Sequence, residues 1–475
     1  MLINFSATNF RCFQERAELS MVASSFTQLA HHVARDISLD DIPGVVRAAA
    51  IYGANASGKS KFIDALATLR RLVTKSRGPR QPLGVEAFRL DKKSVSEPTR
   101  FEIIFSNRER FFQYGVVADN QAIHEEWLFQ LKGKRETKCF ERFNRDGKSI
   151  VSIGPGFARK GSAEYKKLEL IAGATGNNQT FINKAWENQS SRADDVVHWF
   201  EEVLAIIGAD SEFQALETAF EQDEQFSEFI ANYLKSAGTG IDEIRTEQRE
   251  IDLQVRLSGI DEERRQKLLA DLDSGLMAVI MTEAGNLSTI AKGNDGKIVE
   301  YVLRAVHATA DGDSVAFDFR SESHGTQRLV HLLPAVYQGR LSNKVFVVDE
   351  LDRKLHTLLT RQFLETFLSA TQKTNSQIIF TTHDTNLLDQ EVLRRDEVWF
   401  VEKCQKLGCS VIYPLTDFDP RHDLKIDKGY LLGRFGAIPF FGDFSRTIES
   451  KNNEQAGRER NDKIGVRVAK TPRTV

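Results

Sequence analysis

Cysteine is nearly missing from this chain. Four in 475 residues (Cys12, Cys139, Cys404 and Cys409) cannot staple a chain of this length, so a disulfide-built secreted scaffold is excluded and a cytoplasmic location is expected. Long apolar runs are missing too: none approaches the roughly 18 residues of a membrane span, and no passage through a bilayer is expected. The opening MLINFSATNFRCF reads as a strand and lacks the basic-then-apolar layout of a signal peptide. Neither sign of charge dominates. The 64 Lys+Arg stand against 67 Asp+Glu, which excludes a uniformly basic nucleic-acid coat and leaves room for a local basic groove. No internal repeat and no sustained heptad occurs, so a long coiled-coil arm is not expected. What remains is ordinary globular composition, 41% hydrophobic and 28% charged, enough for a sizeable core.

The texture along the chain suggests four regions. Residues 1–184 read as strands, a glycine-rich turn, the amphipathic helix Ser60 to Leu72, and then short aromatic and β-branched runs typical of antiparallel structure. Residues 185–290 read as a helical insertion. Val196, Val197, Trp199, Phe200, Val203, Leu204, Ile206 and Ile207 suit one amphipathic helix, with further helices over 212–236 and 261–285. The alternating Ile251, Leu253, Val255 and Leu257 suit a strand between them. Residues 291–450 alternate strand and helix, the signature of an α/β layer with parallel strands. Residues 451–475 hold 7 Lys/Arg against 3 Asp/Glu and read as a basic flexible tail.

The strongest motif is Gly53-Ala54-Asn55-Ala56-Ser57-Gly58-Lys59-Ser60, a full G-x-x-x-x-G-K-[ST] match between a buried-type strand and an amphipathic helix. The amides of Asn55, Ala56, Ser57 and Gly58 would curl around phosphates, with the helix N-terminus adding partial positive charge. Lys59 would reach the β- and γ-phosphates, and Ser60 would bind Mg²⁺. The second motif is Val345-Phe346-Val347-Val348-Asp349-Glu350, four strand residues delivering two acids where ligands bind in open α/β sheets. Asp349 suits Mg²⁺, and Glu350 suits a general base acting on water.

Lys59 and Asp349 lie 290 residues apart, far wider than in compact P-loop folds. That split resembles the ABC-type ATPase head shared by the SMC and RecF families. Ser323-His324-Gly325-Thr326-Gln327, directly before the acidic strand, is similar to the ABC signature, with His324 and Thr326 in place of the usual residues. The resemblance implies that Ser323 and Gly325 cap the γ-phosphate bound to the opposite subunit; taken alone, Ser323 suits a plain helix N-cap. Leu351-Asp352 stands where ABC heads carry a D-loop, and His383 is similar to their switch histidine. GANASGKS, SHGTQRL, VVDELDRKLHTLLTRQF and YLLGRFGAIPF together look like the bacterial AAA15-type ATPases of abortive-infection and restriction-linked anti-phage systems.

The resemblance implies an α/β fold, an ABC-type head with an antiparallel β subdomain. It also implies ATP and Mg²⁺ as cofactors, a homodimer or higher oligomer, and a separate effector such as a nuclease. A RecF-like DNA-repair ATPase, binding nucleic acid directly, is the alternative. Gln81 and Gln113 are the Q-loop candidates. Glu402 with Asp417 and Asp419 has the letters of a Toprim nuclease but not its spacing. Cys404 and Cys409 lack a second ligand pair for zinc. Asp194-Asp195 reads as solvated surface, and His31-His32 as a polar loop.

Overall fold

The computed structural model describes residues 1–438, apart from 36, 38, 40–41, 79, 146–147, 214–215, 253–261, 275–276, 282–286, 294–295, 405 and 419–424. Six strands build the sheet that carries the motifs: β1 (Ala48–Tyr52), β2 (Leu204–Ile207), β3 (Val345–Val348), β4 (Gln377–Thr381), β5 (Val398–Lys403) and β6 (Ser410–Pro414). Their spatial order is β2-β3-β4-β1-β5-β6. Every neighbouring pair is parallel except the β5–β6 hairpin. Alternate residues enter two different cores. Ala49, Ile51, Val345, Val347 and Ile379 face one, while Ala50, Tyr52, Phe346, Val348 and Phe380 face the other. With both faces buried, these strands read as unbroken apolar runs.

The first core joins this sheet to helix α1 (Lys59–Thr74), which buries Phe62, Ile63, Leu66, Leu69, Leu72 and Val73. The same core takes in one face of a seven-stranded antiparallel sheet. Five of its strands lie between Thr99 and Ile153, and the opening strand Leu2–Thr8 pairs with Thr99–Asn107, setting Phe5 opposite Ile103. On the other side, helices α2 (His324–Leu341) and α3 (Thr357–Ala370) bury Leu329, Leu333, Phe363 and Phe367. Among the described residues no helix is long and apolar enough to cross a membrane.

The segment 185–290 is mixed rather than helical, which corrects the expectation. The helix Ser191–His198 runs into a single π turn, Trp199–Val203, and then extends as β2. Trp199 and Phe200 are fully buried against Phe105, with ring centroids 4.5 and 5.7 Å away, and this anchors the turn. The apolar run beyond it gains a complete parallel ladder against β3, so tertiary pairing overrides the helical spacing. The stretch expected as helical over 212–236 holds two helices, Leu216–Gln222 and Glu224–Ser236, divided at Asp223, whose carboxylate caps the second by accepting from the Phe226 amide at 2.9 Å.

Further on, a helix spans Glu262–Asp273, and the strand Ala278–Met281 follows where helix was expected. That strand belongs to a five-stranded antiparallel sheet with Ile241–Glu250, Leu287–Lys292, Ile298–Ala308 and Ser314–Asp318. Most of the strand expected over 251–257, and the whole of the tail 451–475, lie outside the described residues.

Two surface readings also change. Asp195 is buried and paired with Arg108 and Arg110, and His32 is buried with its Nδ1 3.0 Å from Glu397 Oε2.

Candidate nucleotide-binding site

β1 ends at Tyr52, and the chain turns back over the C-terminal edge of the sheet. Gly53 is required by close approach. A Cβ there would lie 2.4 Å from Val401 O and 2.6 Å from Ser57 Oγ. Gly58 has φ +120°, and a Cβ on it would come within 2.9 Å of both Cys12 Sγ and Ser410 Oγ. Ala56 also takes a left-handed conformation, with φ 61°. The loop is thus curled and braced from behind: the Ser410 hydroxyl donates to Ser57 O at 2.5 Å. Asn55 and Ala56 stand exposed on its crest, and Ser60 is half-buried on the first turn of α1. The Ser57 hydroxyl is buried without a hydrogen-bond partner among the described residues.

Lys59 is buried and folds over the curl, donating from Nζ to Gly53 O at 2.8 Å and Ala54 O at 3.2 Å. Burial lowers its ammonium from the usual value to about 8, while the charges of Asp349, Glu350 and Asp352 oppose that shift. A phosphate-binding role then carries a definite pH dependence. Lys59 must be protonated to hold phosphate, so ATP affinity should be flat below about pH 7.5 and weaken toward tenfold per pH unit above about 8. Titration of a fluorescent ATP analogue against pH measures this. Lys59→Arg, charged throughout the range, should remove the dependence. A flat profile in the parent protein would defeat the assignment.

The two acids leave the end of β3 in different ways. Asp349 continues the ladder, its amide donating to Ile207 O at 2.8 Å. Glu350 has φ 50°, a strained left-handed conformation for a glutamate. Thr381, fully buried at the end of β4, ties the pair together. Its hydroxyl donates to Asp349 Oδ1 at 2.6 Å and accepts from the Glu350 amide at 2.7 Å. The Glu350 carboxylate meets Arg353 at 2.9 Å, and Arg353 in turn meets Asp210 at 2.9 Å. Two residues past Thr381, the His383 amide donates to Asp352 Oδ2 at 3.3 Å. Partial burial and then the Lys59 charge hold the His383 imidazole below its usual value, so it is neutral at pH 7.

Lys59, Asp349, Glu350 and His383 therefore meet at one edge of one sheet, close enough for their charges to act on one another. Beside them opens a cleft of about 1060 Å³, lined by the loop Gly53 to Ser57 with His383, Val401, Tyr430 and Ile438. Ser323 and Gly325 do not line it. Ser323 is exposed at the N-terminus of α2, where its hydroxyl accepts from the Thr326 amide at 3.1 Å, a true N-cap. Gly325 packs close to Lys354 O, which a Cβ would approach to 2.8 Å.

Thr381, Arg353 and Ser410 escaped the sequence reading. For Thr381 the missing information was register: β3 and β4 pair Val348 with Phe380, which sets Asp349 opposite Thr381. Neither glutamine candidate lines the cleft. Gln81 accepts from the Gly78 amide at 3.1 Å beyond the end of α1, and Gln113 sits mid-strand opposite Ile104. Glu402 accepts from the Tyr413 hydroxyl at 3.0 Å, Asp417 is exposed in a turn, and Asp419 lies outside the described residues.

The curled loop, the buried Ser57 hydroxyl and Lys59 form a donor set suited to a polyphosphate. Among the described residues no group of three or more His, Cys, Asp or Glu is placed to hold a metal ion by itself. A divalent cation at Ser60 and Asp349 would need phosphate oxygens and water to complete its shell, the usual manner for Mg²⁺.

Residues 48–389 match the family model described as "AAA domain, putative AbiEii toxin, Type IV TA system". Among solved structures, the chain is similar to an SMC head domain from Thermotoga maritima at 14% identity and a TM-score of 0.35, covering 87% of this chain and 98% of that one. It is similar also to an SMC head bound to the C-terminal winged-helix domain of ScpA, at 12% identity and 0.33, covering 88% and 99%. No curated protein matches it.

Proposed function

We propose a function from one premise: the chain belongs to the AAA-domain family matched over residues 48–389, and its fold is α/β, an ABC-type P-loop ATPase head. It acts as an ATPase that closes as a head-to-tail homodimer around two ATP molecules and so controls a separate effector, a nuclease or other toxin, in anti-phage defence. The observation that carries the catalytic part is the Thr381 hydroxyl holding Asp349 and Glu350 in fixed relation beside Lys59. The family description, which prints "putative AbiEii toxin, Type IV TA system", supports the toxin-linked context.

In this reading the loop amides and Lys59 bind and orient the β- and γ-phosphates. Ser60 and Asp349 would hold Mg²⁺, which would supply neutralisation of charge on the phosphate oxygens. Glu350 accepts the proton of a water aligned behind the γ-phosphate, after its carboxylate shifts from Arg353. His383 donates a hydrogen bond to the γ-phosphate and reports its presence to the D-loop through Asp352. The exposed Ser323 and the half-buried Gly325 are absent from their own chain's cleft, which is the arrangement expected if they serve a partner's.

The test is capture of tagged protein from its native host with ATP and Mg²⁺, then with ADP, read by mass spectrometry and by mass photometry. An ATP-dependent dimer carrying a stoichiometric toxin or nuclease is expected. Recombination proteins or duplex DNA, without such an effector, would replace the defence reading with a RecF-like role in repair.

A further inference from the structure

Cys404 and Cys409 are the two residues that close the β5–β6 hairpin. The last ladder pair is Lys403 with Ser410, so the two cysteines stand opposite each other one step beyond it. The Cys404 amide donates to Cys409 O at 2.8 Å, which fixes the two backbones across from each other. Directly opposed residues of an antiparallel pair have Cα atoms about 4.5–5.5 Å apart, inside the span that a disulfide bridges. The turn sits at the nucleotide cleft, where Cys404 and Gly408 border the same opening as the loop Gly53 to Ser57. Ser410, the next residue, braces that loop: its hydroxyl donates to Ser57 O and its amide to Cys12 O at 2.7 Å.

We propose that Cys404 and Cys409 form a reversible disulfide under peroxide, and that this bond regulates nucleotide binding by moving Ser410 against the phosphate loop. The regulatory half rests on the ATP-binding function proposed above; the formation of the bond does not. The Cys404 thiolate attacks one peroxide oxygen, giving a sulfenic acid and releasing hydroxide. The Cys409 thiol then attacks that sulfur, its proton passing to the departing hydroxyl, which leaves as water. The pair gives up two protons and two electrons, and one hydrogen peroxide becomes two waters.

The two thiols differ in the way this order needs. The backbone amides of Leu407 and Lys406 draw the partly exposed Cys404 below the usual thiol value, whereas burial raises Cys409. Cys139, buried and pushed up to about 12, is an internal inert control. The mechanical consequence follows from spacing. Opposed Cβ atoms sit about 4.5–5.5 Å apart, and a disulfide holds them at about 3.8 Å, so the strands draw together by roughly 1 Å beside Ser410. A displacement of that size in a binding site is worth roughly tenfold or more in affinity or rate.

Purified full-length protein treated with hydrogen peroxide should show a Cys404–Cys409 cross-link in a non-reducing peptide map, reversed by dithiothreitol. The oxidised protein should bind ATP roughly tenfold more weakly than the reduced protein, a loss of about 1.4 kcal/mol. Cys409→Ser should bind ATP normally when reduced and lose the peroxide response. Overoxidised Cys404 without a cross-link, or a bond that includes Cys12 instead, would overturn the proposal. So would a cross-link that leaves ATP affinity unchanged. A reduced protein that fails to bind ATP would count against the ATPase reading instead, since the peptide map reports the bond independently.

Discussion

Glu350→Gln is expected to slow ATP turnover by about 10²- to 10⁴-fold, the usual worth of a positioned general base, while ATP affinity stays within about threefold of the parent. The amide keeps the shape of the side chain and can still meet Arg353, so binding has no reason to suffer. Only the proton acceptor is lost. Thr381→Val separates position from chemistry. It leaves both carboxylates in place but strips the hydroxyl that donates to Asp349 and accepts from the Glu350 amide. An unsatisfied group in that fully buried position costs about 1–3 kcal/mol, so turnover should fall by roughly ten- to a hundredfold, with a measurably lower melting temperature. Single-turnover hydrolysis and equilibrium nucleotide binding distinguish the two variants. A Glu350→Gln protein turning over within threefold of the parent would remove Glu350 from the mechanism.

Mixing two inactive variants should restore activity. Lys59→Ala removes the phosphate-binding ammonium from the cleft. Ser323→Arg sets a bulky charge on the exposed N-terminus of α2, which its own cleft does not include. Each variant alone should fall by about 10²- to 10³-fold, the scale for losing one preorganised electrostatic contact in a phosphoryl-transfer site. In a mixed dimer one site combines both lesions, and the other combines an intact Lys59 with an intact Ser323. Random assortment of a symmetric dimer then returns roughly a quarter of the parent activity. The loss of the Ser323 cap, worth about 1 kcal/mol, should not unfold the chain. Failure to recover activity on mixing, with both variants folded, would sink the shared-site arrangement. Full activity in Ser323→Arg alone would show that the signature does not touch nucleotide.

The parts of the site that could be read from sequence are those whose determinants are contiguous. Gly53 to Ser60 encode a curl and a helix start within eight residues, and Val345 to Glu350 encode a two-face-buried strand with acids at its end. What could not be read depends on partners far along the chain. Leu204 to Ile207 have helix-compatible spacing and become strand only because β3 lies beside them. His32 and Asp195 look like surface residues until Glu397, Arg108 and Arg110 arrive to satisfy them. Thr381 is one of two adjacent threonines before His383, and only the β3–β4 register singles it out. Ser410 carries no motif at all; its importance comes from Gly58, whose missing side chain lets the hydroxyl reach the loop.

The strand order has a consequence for how the protein is made. β1, which leads into the phosphate loop, emerges from the ribosome early, yet both strands that flank it, β4 and β5, lie beyond residue 376. At about 5–20 residues per second, β1 waits roughly 15 to 70 s after its own synthesis for a neighbour. During that interval an apolar strand has two open edges, the kind of exposed template that recruits chaperones or seeds aggregation. The antiparallel sheet, complete by Ile153, can assemble in the meantime and offer α1 a surface to cover. A nascent chain cut short before β4 would therefore carry the whole phosphate-binding motif without any phosphate-binding site.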